Sequence, residues 1–321
     1  MTRRYLARRL LQVPPAALVI LVGAFLLIHL APGDPILALA GESGDAAYYA
    51  EMRAKFGLDR SLIEQLAVFV GNVVRFDLGD SYVLGRPAAL VIAERIPATL
   101  LLTGVALALA STVGIAIGLV AAARVHRRTD VAINLVTLAL HATPSFWLAQ
   151  LAILTLGLWA GILPVGGMTT ARSSATGVAA LLDVAHHLVL PVAVLAATEV
   201  AAIARLTRTG LLDELSQDYV RTARAKGLSE RRVLVRHALR RALLPVVTVI
   251  GGRVGHLLGG TVLVEAVFGW PGVGRLLLSA VQARDTPIVL GVFLVIATTV
   301  IVANVVTDLV YARLDPRIRY A

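Results

Sequence analysis

The chain has 321 residues, is 58% hydrophobic, contains no cysteine and carries a formal net charge of +10. The absence of cysteine excludes disulfides, Fe–S centres and Cys-ligated zinc. Leu10 to Gly33, Ile96 to Ala123, Val131 to Ala171 and Thr286 to Thr307 contain no Asp, Glu, Lys or Arg, and about 20 apolar residues suffice to cross a bilayer core. These runs exclude an ordinary soluble domain and predict an all-α polytopic membrane protein.

In chain order, six transmembrane helices are expected at 10–31, 97–123, 131–158, 188–208, 242–264 and 287–309. The first reads as a retained anchor: ALA at 38–40 resembles a signal-cleavage site but lies too far beyond the apolar run. A long loop, 32–96, follows. Within it YYAEMRAKF and SLIEQLAVFVGNVVRF read as two short amphipathic helices, forming a cap over the bundle, a docking surface for an outside partner, or both. Residues 1–96 thus make one division and 97–321 a five-helix core. Pro144 is expected to kink the third span. Gly114 and Gly118 in the second span, and Gly251, Gly255 and Gly259 in the fifth, are spaced for close helix packing; a subunit contact or a moving gate is the other reading.

Six spans put both termini on one side. That side holds 20 basic residues against nine on the other, with net charges of +14 and −3. The positive-inside rule makes it cytoplasmic. The basicity is therefore topological and does not point to nucleic acid.

Ten of the 30 basic residues fall between Arg205 and Arg241. In the connection 209–241, Asp218 to Lys226 reads as a short helix ended by Gly227. Ser229 caps a second helix, with Leu228 and Val233 as a hydrophobic staple. That helix continues through HALRRALL to Pro245 and into the fifth span. The result is a helix–turn–helix at the membrane face. Small Ala223, Ala225 and Gly227 would admit another protein closely, with Arg221, Arg224, Lys226, Arg231 and Arg232 meeting acidic groups on it. A basic loop held at anionic lipid heads is the alternative.

The segment resembles the cytoplasmic coupling loop of ABC-importer permeases, whose consensus is EAA-x3-G-x9-I-x-L-P. With the glycine set on Gly227, Ala223 matches the second alanine, and His237 to Arg240 fall on I-x-L-P. Arg221, Thr222 and Arg240 replace the glutamate, first alanine and proline, as in loops of the peptide/nickel subfamily. Similarity to that subfamily covers nearly the whole chain. It includes HLAPGDP (29–35), FGLD (56–59), DLGDSY (77–82), ERIPATL (94–100), TPSFWLA (143–149), ILPVGG (162–167), FGWPGVGRLLLSAVQARDTP (268–287) and LDPRIR (314–319).

The resemblance implies a type I ABC-importer-like permease subunit of the inner (cytoplasmic) membrane, with both termini cytoplasmic. Di- or oligopeptides are the implied cargo, with nickel chelates or glutathione-like solutes as alternatives. The implied partners are a homologous permease, two ATPase subunits, an extracytoplasmic substrate-binding protein and membrane lipid. Arg221, Thr222, Ala223, Arg224, Ala225, Lys226, Gly227 and Leu228 would be the element that seats in an ATPase groove.

The chain itself has no P-loop, since its two lysines precede Phe56 and Gly227. ATP and Mg are therefore expected on the partner subunits, with no cofactor on this chain. The seven histidines lack metal-ligand spacing, the adjacent His186 and His187 included. No catalytic set is suggested, so neither an enzyme site nor a metal site is expected. Glu199 and Arg253, near the middles of the fourth and fifth spans, are expected to pair or to line the translocation cavity; a helix-to-helix clamp is equally open. Asp308 is expected to meet basic residues at the cytoplasmic interface. An ion-coupled secondary transporter is the competing class, but it needs membrane carboxylates or broken helices near the midplane, and Glu199 is one candidate only. A scaffold without transport activity is the remaining reading.

Overall fold

A computed structural model describes residues 45–314 except 56, 76 and 173, together with several positions between 11 and 26; the side chains of 55, 254–260 and 308–314 lie outside the description. The described elements are helices, with one isolated bridge between Asp80 and Pro87. In chain order they are α1 (Ala46–Lys55), α2 (Leu62–Val74), α3 (Ala88–Ala123), α4 (Arg128–Ala142) and α5 (Ser145–Ala152), which continues as a π-helical segment, Ile153–Trp159. Then come α6 (Val178–Leu215), α7 (Asp218–Ala225) and α8 (Glu230–Arg232). A second π-helical segment, Val233–Ala238, leads from α8 into α9 (Leu239–Val267), followed by α10 (Val273–Gln282) and α11 (Thr286–Leu314).

Among the described residues, α3, α6 and the Thr286–Thr307 part of α11 are each long and apolar enough to cross a membrane. Half of the expected span 10–31 falls outside the described residues. The third expected span needs correction. Instead of one helix over 131–158, α4 and the α5–π segment meet at 102°. Thr143 is extended at ψ 128°, the conformation a following proline imposes, and Pro144 becomes the N-cap of α5. Pro97, Pro191 and Pro245, by contrast, lie inside α3, α6 and α9 without ending them. Helix α6 outruns the expected 188–208 at both ends, because hydropathy marks the apolar part of a helix and not its polar extensions.

The chain forms two compact units. The first comprises Leu100–Trp270 with Val302–Ala321. Its core includes Ala110, Ala196, Val200, Ile203 and Val246, which join α3, α6 and α9. A Cβ on Gly114 would lie 2.8 Å from the Ile203 side chain, and one on Gly118 2.5 Å from the Ala204 carbonyl. The α3–α6 approach therefore requires glycine at both positions. Gly251 faces Thr307 in the same way, while Gly255 and Gly259 lie outside the described side chains. The Gly167 N–H donates to the Phe268 carbonyl at 2.7 Å, tying ILPVGG to the end of α9.

The second unit comprises Thr2–Thr99 with Pro271–Ile301. Here α1 and α2 occupy the two stretches read as short helices. Ser61 and Glu64 close a capping box at the start of α2. Val91, Ile92, Ile288 and Val292 belong to one apolar core, and the Phe25 and Phe69 rings stack 6.2 Å apart. Asp285, 2% exposed, accepts hydrogen bonds from the Ser81 hydroxyl and from the Tyr82 and Val83 N–H groups.

Candidate coupling surface

Helix α7 has acidic Asp218 in its first turn and basic Arg224 in its last, both favourable to the helix dipole. It ends in a Schellman motif. Gly227 adopts φ +75°, its N–H donates to the Arg224 carbonyl at 2.9 Å, and the Leu228 N–H donates to the Ala223 carbonyl at 3.3 Å. Leu228 then packs with Val220, Ala223 and Val233. Ser229 holds the N-cap position of α8, but its hydroxyl makes no capping bond; the apolar cluster holds this turn.

This geometry corrects the composition of the candidate surface. Ala223 is 7% exposed and belongs to the inner cluster, so its side chain is not part of the exposed face. Leu228 is half-buried, while Arg221, Thr222, Ala225, Lys226 and Gly227 are exposed. Arg224 is exposed but engaged: its Nε and Nη2 donate to Glu230 at 2.6 and 3.3 Å. The hydrogen bonds between them, helped by the opposite charges, hold the Glu230 carboxyl below, and the Arg224 guanidinium above, their ordinary pKa values. Arg221 makes a 3.2 Å pair with Asp218.

The turn is strapped to its neighbours by Tyr219. Its hydroxyl donates to Glu214, at the end of α6, at 2.6 Å. The Arg241 guanidinium of α9 lies 4.2 Å from its ring centroid. Burial, with help from the Glu214 charge, pushes the Tyr219 pKa up to about 12.

Further along α6, Arg253 Nη1 of α9 lies 3.3 Å from Glu199 Oε2, and the Glu199 side chain is 3% exposed. The structure thus places these two side chains together. Sequence reasoning missed a second pair. Arg208 of α6 donates from Nε and Nη2 to the two Asp130 oxygens at 2.6 and 2.7 Å. The signal was present in RVHRRTD, where Asp130 is the lone acid among basic residues. His187 Nδ1 lies 2.9 Å from the Asp183 carbonyl, and no metal-holding group of side chains occurs among the described residues. The Asp308 side chain lies outside the description.

Long apolar helices, with a compact basic turn after α6, define a helical membrane component. The profile described as "Binding-protein-dependent transport system inner membrane component" matches residues 114–320, and that of the corresponding N-terminal region matches 1–103. The chain belongs to this family. It is 38% identical over 317 residues to the oligopeptide transport system permease protein AppB of Bacillus subtilis, covering 98% of this chain and 99% of that one. It is 39% identical to the di/tripeptide transport system permease protein DppB of Pseudomonas aeruginosa, with 98% of both chains covered. A putative peptide permease protein of Brucella suis is 40% identical, covering 98% of this chain and 99% of that one. Among solved structures, an amino acid ABC transporter crystallised with histidines shares the fold. The TM-score is 0.53 at 14% identity, over 70% of this chain and 94% of that one.

Proposed function

We propose that this chain is one permease subunit of an ATP-driven importer for di- or oligopeptides. The observation that carries the reading is near-complete coverage by relatives described as peptide permeases. The chain pairs with a homologous permease, two ATPase subunits and an extracytoplasmic binding protein. ATP and Mg bind to the ATPases and no cofactor binds here. The basic side, with both termini and the 209–241 connection, is cytoplasmic by charge asymmetry. The exposed face Arg221, Thr222, Ala225, Lys226 and Gly227 seats on an ATPase, whose closure is passed to the membrane helices. Alternating access then moves peptide from the binding protein to the cytoplasm.

The test is mild-detergent purification of the tagged chain from its own cells, followed by mass spectrometry and peptide-uptake assays. Co-purification of P-loop ATPases and a second permease, with uptake lost on ATP depletion, is expected. A chain that takes up peptide without those partners, and stops only with a proton uncoupler, overturns the reading.

A further inference from the structure

We propose that Asp130 and Arg208 are positioning residues that make the start of α4 and the end of α6 move as one body, so that force on α7 reaches the α4–α5 break. This rests on the reading of α7 as the coupling element.

Four observations carry it. The pair is a two-pronged fork of parallel bonds, a geometry that fixes orientation as well as distance. The Asp130 side chain is only 4% exposed and that of Arg208 21%, so water does not loosen the link as it does at a surface pair. Asp130 is also held by Asn134 Nδ2 at 2.9 Å and by the His126 N–H at 3.1 Å, where the backbone takes φ +63°. Finally, Arg208 lies roughly two turns before the end of α6, where Glu214 accepts the Tyr219 hydroxyl of α7. Direct side-chain bonds therefore run from α7 to α6 and from α6 to α4. At its far end α4 stops at Thr143–Pro144, where the chain turns through 102°. A helix gripped at one end and broken at the other acts as a lever.

The assembled complex in lipid vesicles tests this, with ATP hydrolysis and peptide uptake measured on the same sample. Arg208→Lys keeps the charge but removes the fork. Hydrolysis is expected to persist while peptide taken up per ATP falls about tenfold, within the range of measured coupling effects. Arg127→Cys and Asp213→Cys, both at exposed positions, give this otherwise cysteine-free chain two spin-label sites on either side of the pair, in a complex whose partner subunits are freed of reactive cysteine. In the parent their separation is expected to stay constant between nucleotide-free and ATP-trapped states; in Arg208→Lys it should spread.

Unchanged uptake per ATP in Arg208→Lys, or a parent separation that changes on ATP binding, overturns the proposal. If Arg208→Lys fails to assemble, the parent separation still decides. A parent complex whose uptake ignores ATP fails at the control and removes the coupling reading with it. A parent that couples normally beside an equally well-coupled variant removes the lever alone.

Discussion

Two arginine–carboxylate pairs flank the short helix α7, and they have nearly the same chemistry in opposite surroundings. Arg208–Asp130 joins two long helices and leaves the carboxylate 4% exposed. Arg224–Glu230 closes the turn itself, with side chains 43% and 68% exposed. Each has a 2.6 Å contact from Nε, so bond length does not distinguish them. Burial does. Removing one partner from a buried pair strands a charge that water cannot reach, whereas at the surface water replaces the lost partner at once.

The largest effect is therefore expected from Asp130→Ala. It leaves the Arg208 guanidinium, 21% exposed, without its fork, and the cost is about 3 kcal/mol, the low end of the range for broken buried pairs, because water reaches part of the stranded cation. Thermal unfolding of the detergent-purified chain, followed by tryptophan fluorescence, reads it as a large fall in midpoint. A loss no greater than that of a surface variant would show that the site is wetter than its burial implies.

A second contrast is steric. Gly118→Val places a Cβ 2.5 Å from the Ala204 carbonyl and 2.6 Å from Thr207 Cβ, so backbone has to move. Overpacking of this kind costs roughly 1–3 kcal/mol. The same thermal measurement should rank it below Asp130→Ala, and a midpoint equal to the parent's would mean that α3 and α6 separate at little cost.

How much of this was legible in the sequence depended on range. The α7 turn was readable because its determinants are local: Gly227 supplies the left-handed residue, and Leu228 and Val233 meet across five positions. The inward direction of Ala223 was not readable, because it depends on which face of α7 the following helix covers. The Asp130–Arg208 fork links residues 78 apart and the Ser81–Asp285 bond residues 204 apart. DLGDSY and the RDTP of the later motif were each visible as motifs, but nothing local says that one caps the other. The broken third span is intermediate. Pro144 signalled a disturbance, yet Pro97, Pro191 and Pro245 carry the same signal inside continuous helices, so a proline alone does not say whether a helix ends.

The smallest effect is expected at the exposed pair, and its pH dependence shows why. In the folded chain the hydrogen bond from Arg224 is the main cause holding the Glu230 pKa below its ordinary value. A depressed carboxylate pKa stabilises the fold above the ordinary glutamate range, and that contribution is lost as pH falls through the folded value. Arg224→Ala should thus cost no more than about 1 kcal/mol at neutral pH, and the gap between parent and variant should close on acidification. Thermal midpoints measured for both proteins from neutral to acidic pH check the sign. A gap that widens in acid would mean that Arg224 is held by something other than the Glu230 charge. A gap that closes, with uptake per ATP intact, would show that this arginine shapes the turn, leaving exposed Lys226, Arg231 and Arg232, with Arg221 from its 3.2 Å pair with Asp218, as the cations for a partner.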